Sequence, residues 1–142
     1  MALASLALRT SNITINNANV QLTTTAGVKA RLLEFAMIQL TGTASSYGLG
    51  RPAVLAITPG TTSTFQRDDS ADPACVTTAS LTWGTSPTAP TNYMRRTNTA
   101  ATIGVGIIWT FPRGIIIPVS GALVNFNITA AVALDVNMSI DE

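Results

Sequence analysis

From Val132 to Ile140 every second residue is large and apolar: Val132, Leu134, Val136, Met138 and Ile140 are separated by Ala133, Asp135, Asn137 and Ser139. A repeat of two residues puts the first set on one face of an extended chain and the second on the other; it does not fit the 3.6-residue turn of a helix. The segment is therefore predicted as a strand with one buried and one wetter face, the pattern of an antiparallel sandwich or barrel.

Further strands are predicted upstream. Ala53–Ile57 is a short apolar run ended by the turn pair Pro59-Gly60, and Cys75–Trp83 alternates up to Gly84. Tyr93–Asn98, Thr102–Phe111, Gly114–Val119 and Ala122–Ile128 follow closely, broken at Pro112-Arg-Gly114 and Ser120-Gly121. Val28–Leu40 is ambiguous. Leu32, Leu33, Ala36 and Leu40 fit a helical stripe, whereas in a strand Leu33, Phe35 and Met37 share one face and Ala30, Leu32, Glu34, Ala36 and Ile38 the other. No helix C-cap follows Leu40, and the segment is read as strand. Residues 61–74, polar and containing Gln66–Pro73, are expected as a surface loop, and 84–92, with Pro87 and Pro90, as a long one. Residues 1–27, poor in charge and aromatics, are read as an extended arm that pairs with its own sheet or a neighbour's; residues 28–142 form the body. The fold class is all-β, an antiparallel sandwich of seven or eight strands, including the jelly-roll arrangement.

Composition narrows the function. Charged residues are 11% of the 142, against about a quarter in an average soluble domain, while 46% are hydrophobic. Neutral groups protect poorly against association, so self-association is expected. A net charge of +1 provides no field for nucleic acid or an acidic membrane. The apolar window Ile103–Val119 is broken by Pro112 and Arg113 and falls short of a membrane helix. The run Met1–Leu8, with Arg9 behind it rather than a basic residue ahead, is read as mature sequence instead of a secretory signal. Sequons at Asn12, Asn127 and Asn137 are given no weight in an Asn- and Thr-rich chain.

The chain has no histidine and one cysteine, Cys75. The commonest general base and the main zinc ligands are therefore missing, an intrachain disulfide is impossible, and no catalytic residue, cofactor or metal is expected. Asp68, Asp69 and Asp72 lack the spacing of a calcium loop and are read as a solvated loop. Gly48-Leu-Gly50 and Gly104-Val-Gly106 lack the Lys-Ser/Thr or helix of a phosphate loop and are read as bends or sites of close packing. Trp83 and Trp109 are expected to anchor the core with their N–H groups bonded locally. Candidate contact residues are Ile13 and Ile15 in the arm, the basic pair Arg95 and Arg96, and Ile115, Ile116 and Ile117, which must alternate between faces, so that the second face needs covering.

Thr78–Trp83, the Pro-rich loop, Trp109–Pro118, Ser120–Asn127, Arg31–Phe35 and Gly48–Pro52 together resemble the jelly-roll capsid decoration, or cement, proteins of tailed bacteriophages. The likeness spans about residues 28–142. It implies a tumour-necrosis-factor-like sandwich and a homotrimer on the capsid exterior of the virion, bound to the major capsid protein and reinforcing the shell. It carries no catalytic residue, small-molecule substrate, nucleic acid or membrane partner. The alternative expectation is a receptor- or carbohydrate-binding jelly-roll module of a phage tail or fibre, using loops 61–74 and 84–92. A hydrolase is disfavoured for want of a base.

Overall fold

The computed structural model describes residues 2–11 and 13–142; the sequon at Asn12 lies outside them. The described residues form strands and no helix. In chain order these are β1 (Leu3–Arg9), β2 (Ala18–Thr23), β3 (Arg31–Gln39), β4 (Ser45–Gly50), β5 (Ile57–Pro59), β6 (Thr62–Thr64), β7 (Gln66–Arg67), β8 (Thr78–Ser80), β9 (Trp83–Thr85), β10 (Arg95–Thr99), β11 (Gly106–Ile116), β12 (Leu123–Asn127) and β13 (Leu134–Asp141). A front sheet runs β11-β3-β13-β1-β7 and a rear sheet β10-β4-β12-β2-β8-β6, while β5 and β9 make a separate ribbon. All pairings are antiparallel. The two sheets form a β-sandwich.

The alternation that opens the sequence argument sets the interior. Leu134, Val136, Met138 and Ile140 are buried, and they meet Val20, Leu22, Leu49 and Leu123 of the rear sheet in one core. Val28–Leu40 is strand, as expected, but its faces differ from the simple alternation. The register slips between the pairs Glu34–Ser139 and Leu32–Ile140, leaving Leu33 as an extra residue. This bulge returns Leu32 to the inner face beside Phe35 and Met37.

Of the two expectations for the N-terminal segment, the described residues follow pairing with the chain's own sheets, and as integral strands rather than an appended arm. They supply β1, held between β13 and β7, and β2, held between β12 and β8, so Ala4, Val20 and Leu22 share the core with the body. The boundary at 27/28 accordingly divides no structural unit. The expected surface loop 61–74 contains β6 and β7, with Phe65 between them plugging the core. Ala53–Ile57 is not a regular strand: the chain bridges only at Val54–Thr88 before β5, and Val54 and Leu55 are exposed. Cys75–Trp83 splits into β8 and the start of β9, one in the rear sheet and one in the ribbon. Conversely, the two strands expected either side of Pro112 are a single β11. It is an edge strand, where Pro needs no outer partner, and the register shift between Thr110 and Ile115, with Gly114 at φ +64°, absorbs the break.

The centre of the rear sheet is covered on both sides. β4 and β12 are buried along their whole length and β2 over all but its last residue. Their outer face carries a second apolar cluster of Ala18, Ala122, Val124 and Phe126, roofed by Trp83 of the ribbon strand β9 and by Ala89 and Tyr93 of the segment after it. Gly48 makes the roof possible, since a Cβ there would fall within 2.7 Å of Tyr93 Cγ. Tyr93 also meets Phe126 edge-on, centroids 6.1 Å apart. Gly48→Ala is therefore expected to lower the free energy of unfolding by about 1–3 kcal/mol through overpacking. Urea denaturation measures this, and Tyr93→Ala in the same background should recover part of the loss by removing the clash.

Candidate association surfaces

The outer face of the front sheet has no roof. Strand register arranges it in rows: Arg9–Asp135–Ile38–Gly106, then Ala7–Asn137–Ala36–Ile108, then Ser5–Ser139–Glu34–Thr110. The middle row is small or neutral throughout, and Ile108 in it is 63% exposed. Leu3 and Ile38 are exposed on the same face, where the row of Leu3 continues through Asp141 and Arg31 to Ile116. Of the charged groups in these rows, Arg9 and Asp135 neutralise each other through Nε–Oδ1 and Nη2–Oδ2 hydrogen bonds of 2.7 and 2.8 Å. The bond from Arg9 holds the Asp135 carboxyl below its ordinary range.

The proposed contact residues are scattered over the fold. Arg95 and Arg96 are exposed neighbours on edge strand β10, and neighbours on a strand point to opposite faces. Arg95 lies over Phe111, 5.4 Å from the ring centroid, where it closes the open side of the sandwich between β10 and β11. The two therefore make no single basic patch. Ile115 is half-buried against the core, Ile116 is 55% exposed and Ile117 is buried, the alternation expected of them. Ile13 bridges to Val132, and Ile15 is exposed in the loop after β1.

That loop belongs to a surface that sequence reading missed. The connections β1–β2 (10–17), β3–β4 (40–44), β10–β11 (100–105) and β12–β13 (128–133) all lie at one end of the sandwich, beyond the pairs Arg9–Asp135, Gln39–Leu134, Ser45–Thr99 and Tyr47–Asn127. None contains a charged residue. Two buried amides tie them together. Gln39 Nε2 donates to the carbonyls of Thr41 (2.6 Å), Thr43 (2.7 Å) and Ala100 (3.3 Å), while its Oε1 accepts from Tyr47 Oη (3.0 Å) and Thr99 Oγ1 (2.6 Å). Burial also pushes the Tyr47 hydroxyl pKa up, keeping it a donor. Asn127 donates to the carbonyls of Ile13 (2.8 Å) and Ala130 and accepts from Ser45 Oγ (2.8 Å). The absence of charge was legible in the sequence; the common address was not.

The remaining candidates are structural. The Asp68 loop is bonded to its own chain: Ser5 Oγ donates to Asp68, Ala71 N to Asp69, and Arg67 to the carbonyl of Asp72. No group of three metal-ligating side chains occurs among the described residues. Trp109 stacks on Phe35 and Trp83 packs on the second cluster, but Trp83 Nε1 is buried without a partner, contrary to the expectation of a local bond. Gly48 serves close packing, as read from sequence, and Gly104 a positive-φ turn. Cys75 is buried, which raises its thiol pKa and suppresses its reactivity.

Gln39→Leu is expected to cost about 3 kcal/mol or more by leaving buried carbonyls and hydroxyls without partners, checked by chemical denaturation. In an NMR titration Asp135 should ionise below the range of a free aspartate, and Arg9→Ala should raise its midpoint. The pair is intact above the ordinary aspartate pKa and is lost as pH falls through the lowered one. No family model, curated protein or solved structure matches this chain.

Proposed function

We propose that the chain is a non-enzymatic virion structural protein, a capsid decoration or cement protein that binds the outer shell as a homotrimer and stabilises it. The observation that carries the reading is the asymmetry of the sandwich. The rear sheet is roofed by its own chain, whereas the front sheet leaves rows of small and neutral side chains, with Leu3, Ile38 and Ile108, open to an outside surface. The charges on this face are the self-neutralised Arg9–Asp135 pair, Glu34 and, in the row of Leu3, Asp141 beside Arg31, while the row Ala7–Asn137–Ala36–Ile108 between them carries none and costs little to dry, which favours a protein partner.

Strand pairing supports a jelly-roll reading with tumour-necrosis-factor-like sheet orders. Of the eight main strands, the first pairs with the last (β1–β13), and the nesting continues inward through β2–β12, β3–β11 and β4–β10. Rigidity fits reinforcement. The loops at the uncharged end are bonded to buried amides, and at the opposite end the Glu142 carboxylate accepts from Val76 N (2.9 Å) and Thr77 N (2.8 Å). Nothing specific favours the glycan-binding alternative: Ala89 of segment 84–92 packs on the rear sheet, and segment 61–74 contributes β6, β7 and the buried Phe65 to the sandwich.

Native mass spectrometry and sedimentation test the assembly. The wild type is expected at three times the 14.8 kDa chain mass, and Ile108→Asp at the mass of one folded chain. A wild-type monomer at micromolar concentration, or an Ile108→Asp trimer as stable as the wild type, would overturn the assignment of the front sheet as the contact face.

A further inference from the structure

Charge is distributed along the sandwich with a direction. The four loops at 10–17, 40–44, 100–105 and 128–133 hold none, while Lys29, Arg51, Asp68, Asp69 and Asp72 lie in loops at the opposite end, beside Arg67 at the end of β7. The uncharged end nevertheless exposes large apolar side chains: Ile103 is 68% and Ile15 53% exposed. Its backbone is fixed in advance by the Gln39 and Asn127 amides, so little order remains to be lost on binding. Resting on the reading of the protein as a shell-bound trimer, we infer that this end is the face that meets the capsid. The partner is an uncharged protein surface of the shell, and the charged end points to solvent.

Desolvation selects this end. Drying an unpaired charge is far more costly than drying hydroxyls, amides and aliphatic groups, so of the two ends only this one can be covered by a neutral surface without stranding an ion. Size then requires the trimer. From strand and sheet spacings the end of such a sandwich measures about 20 by 20 Å, roughly 400 Å2. Counting both partners, one copy would bury about 800 Å2, the scale of a crystal-packing contact, against about 1,200–2,000 Å2 for a stable interface. Three copies whose strands run along the three-fold axis present three such ends on one side, about 2,400 Å2 in all, and bind together.

The test uses purified capsid shells lacking the protein, with binding read by co-sedimentation. Ile103→Asp and Ile15→Lys should each weaken binding by tenfold or more while the trimer mass is retained, because each places a charge under the contact. Val54→Asp, at an exposed site near the charged end, should bind like the wild type. Wild-type binding should also persist from about 0.15 to 1 M salt, across which exposed ion pairs are screened. Binding that survives both insertions, or that Val54→Asp or salt abolishes, overturns the assignment of the end and leaves the capsid reading standing. Failure of the wild-type trimer to bind the shells overturns the capsid reading, and the docking face with it.

Discussion

The buried amide of Gln39 is the interaction on which the uncharged end depends. Both sheets and two of the four loops converge on it: Gln39 belongs to β3 of the front sheet, Tyr47 and Thr99 to β4 and β10 of the rear sheet, and the carbonyls of Thr41, Thr43 and Ala100 to the connections between them. A buried polar group is costly when partly satisfied, but here every donor and acceptor site of the amide has a partner. With Asn127 doing the same for the other two loops, the end is held without a charge and without regular structure.

The low charge of the chain thus has a spatial meaning. Ion pairing is almost absent from the described residues, and the one salt bridge, Arg9–Asp135, stands where the front face borders the uncharged end. Packing and neutral hydrogen bonds do the work instead, including the buried Asn19–Asn125 bond of 2.8 Å and the Thr24–Thr77 bond of 3.0 Å. Such a molecule can present two contact surfaces, one along the front sheet and one at the end, with most of its ions toward the far end.

The fold class was legible because β13 follows the simplest rule, a period of two with one face buried. The failures have physical causes. β2 was absorbed into an apparent arm because Asn19 and Gln21 look like loop residues, yet in a strand covered on both faces their side chains bury alongside Val20 and Leu22. Leu33 rather than Leu32 was grouped with Phe35 and Met37 because one bulged residue, Leu33, reverses the alternation. β11 was cut at Pro112 because sequence does not say which strand lies at an edge. The contact residues chosen from sequence were single side chains, whereas the open surfaces consist of rows and loops up to about 120 residues apart in the chain, which only the pairing order brings together.

Cryo-electron microscopy of the intact particle tests the central claim most directly. Three-fold clusters of two-sheet density are expected on the outer capsid surface, with front sheets turned toward one another and loops 10–17, 40–44, 100–105 and 128–133 against the shell. Density for the chain in the tail or fibre, or isolated single copies on the shell, would contradict that claim.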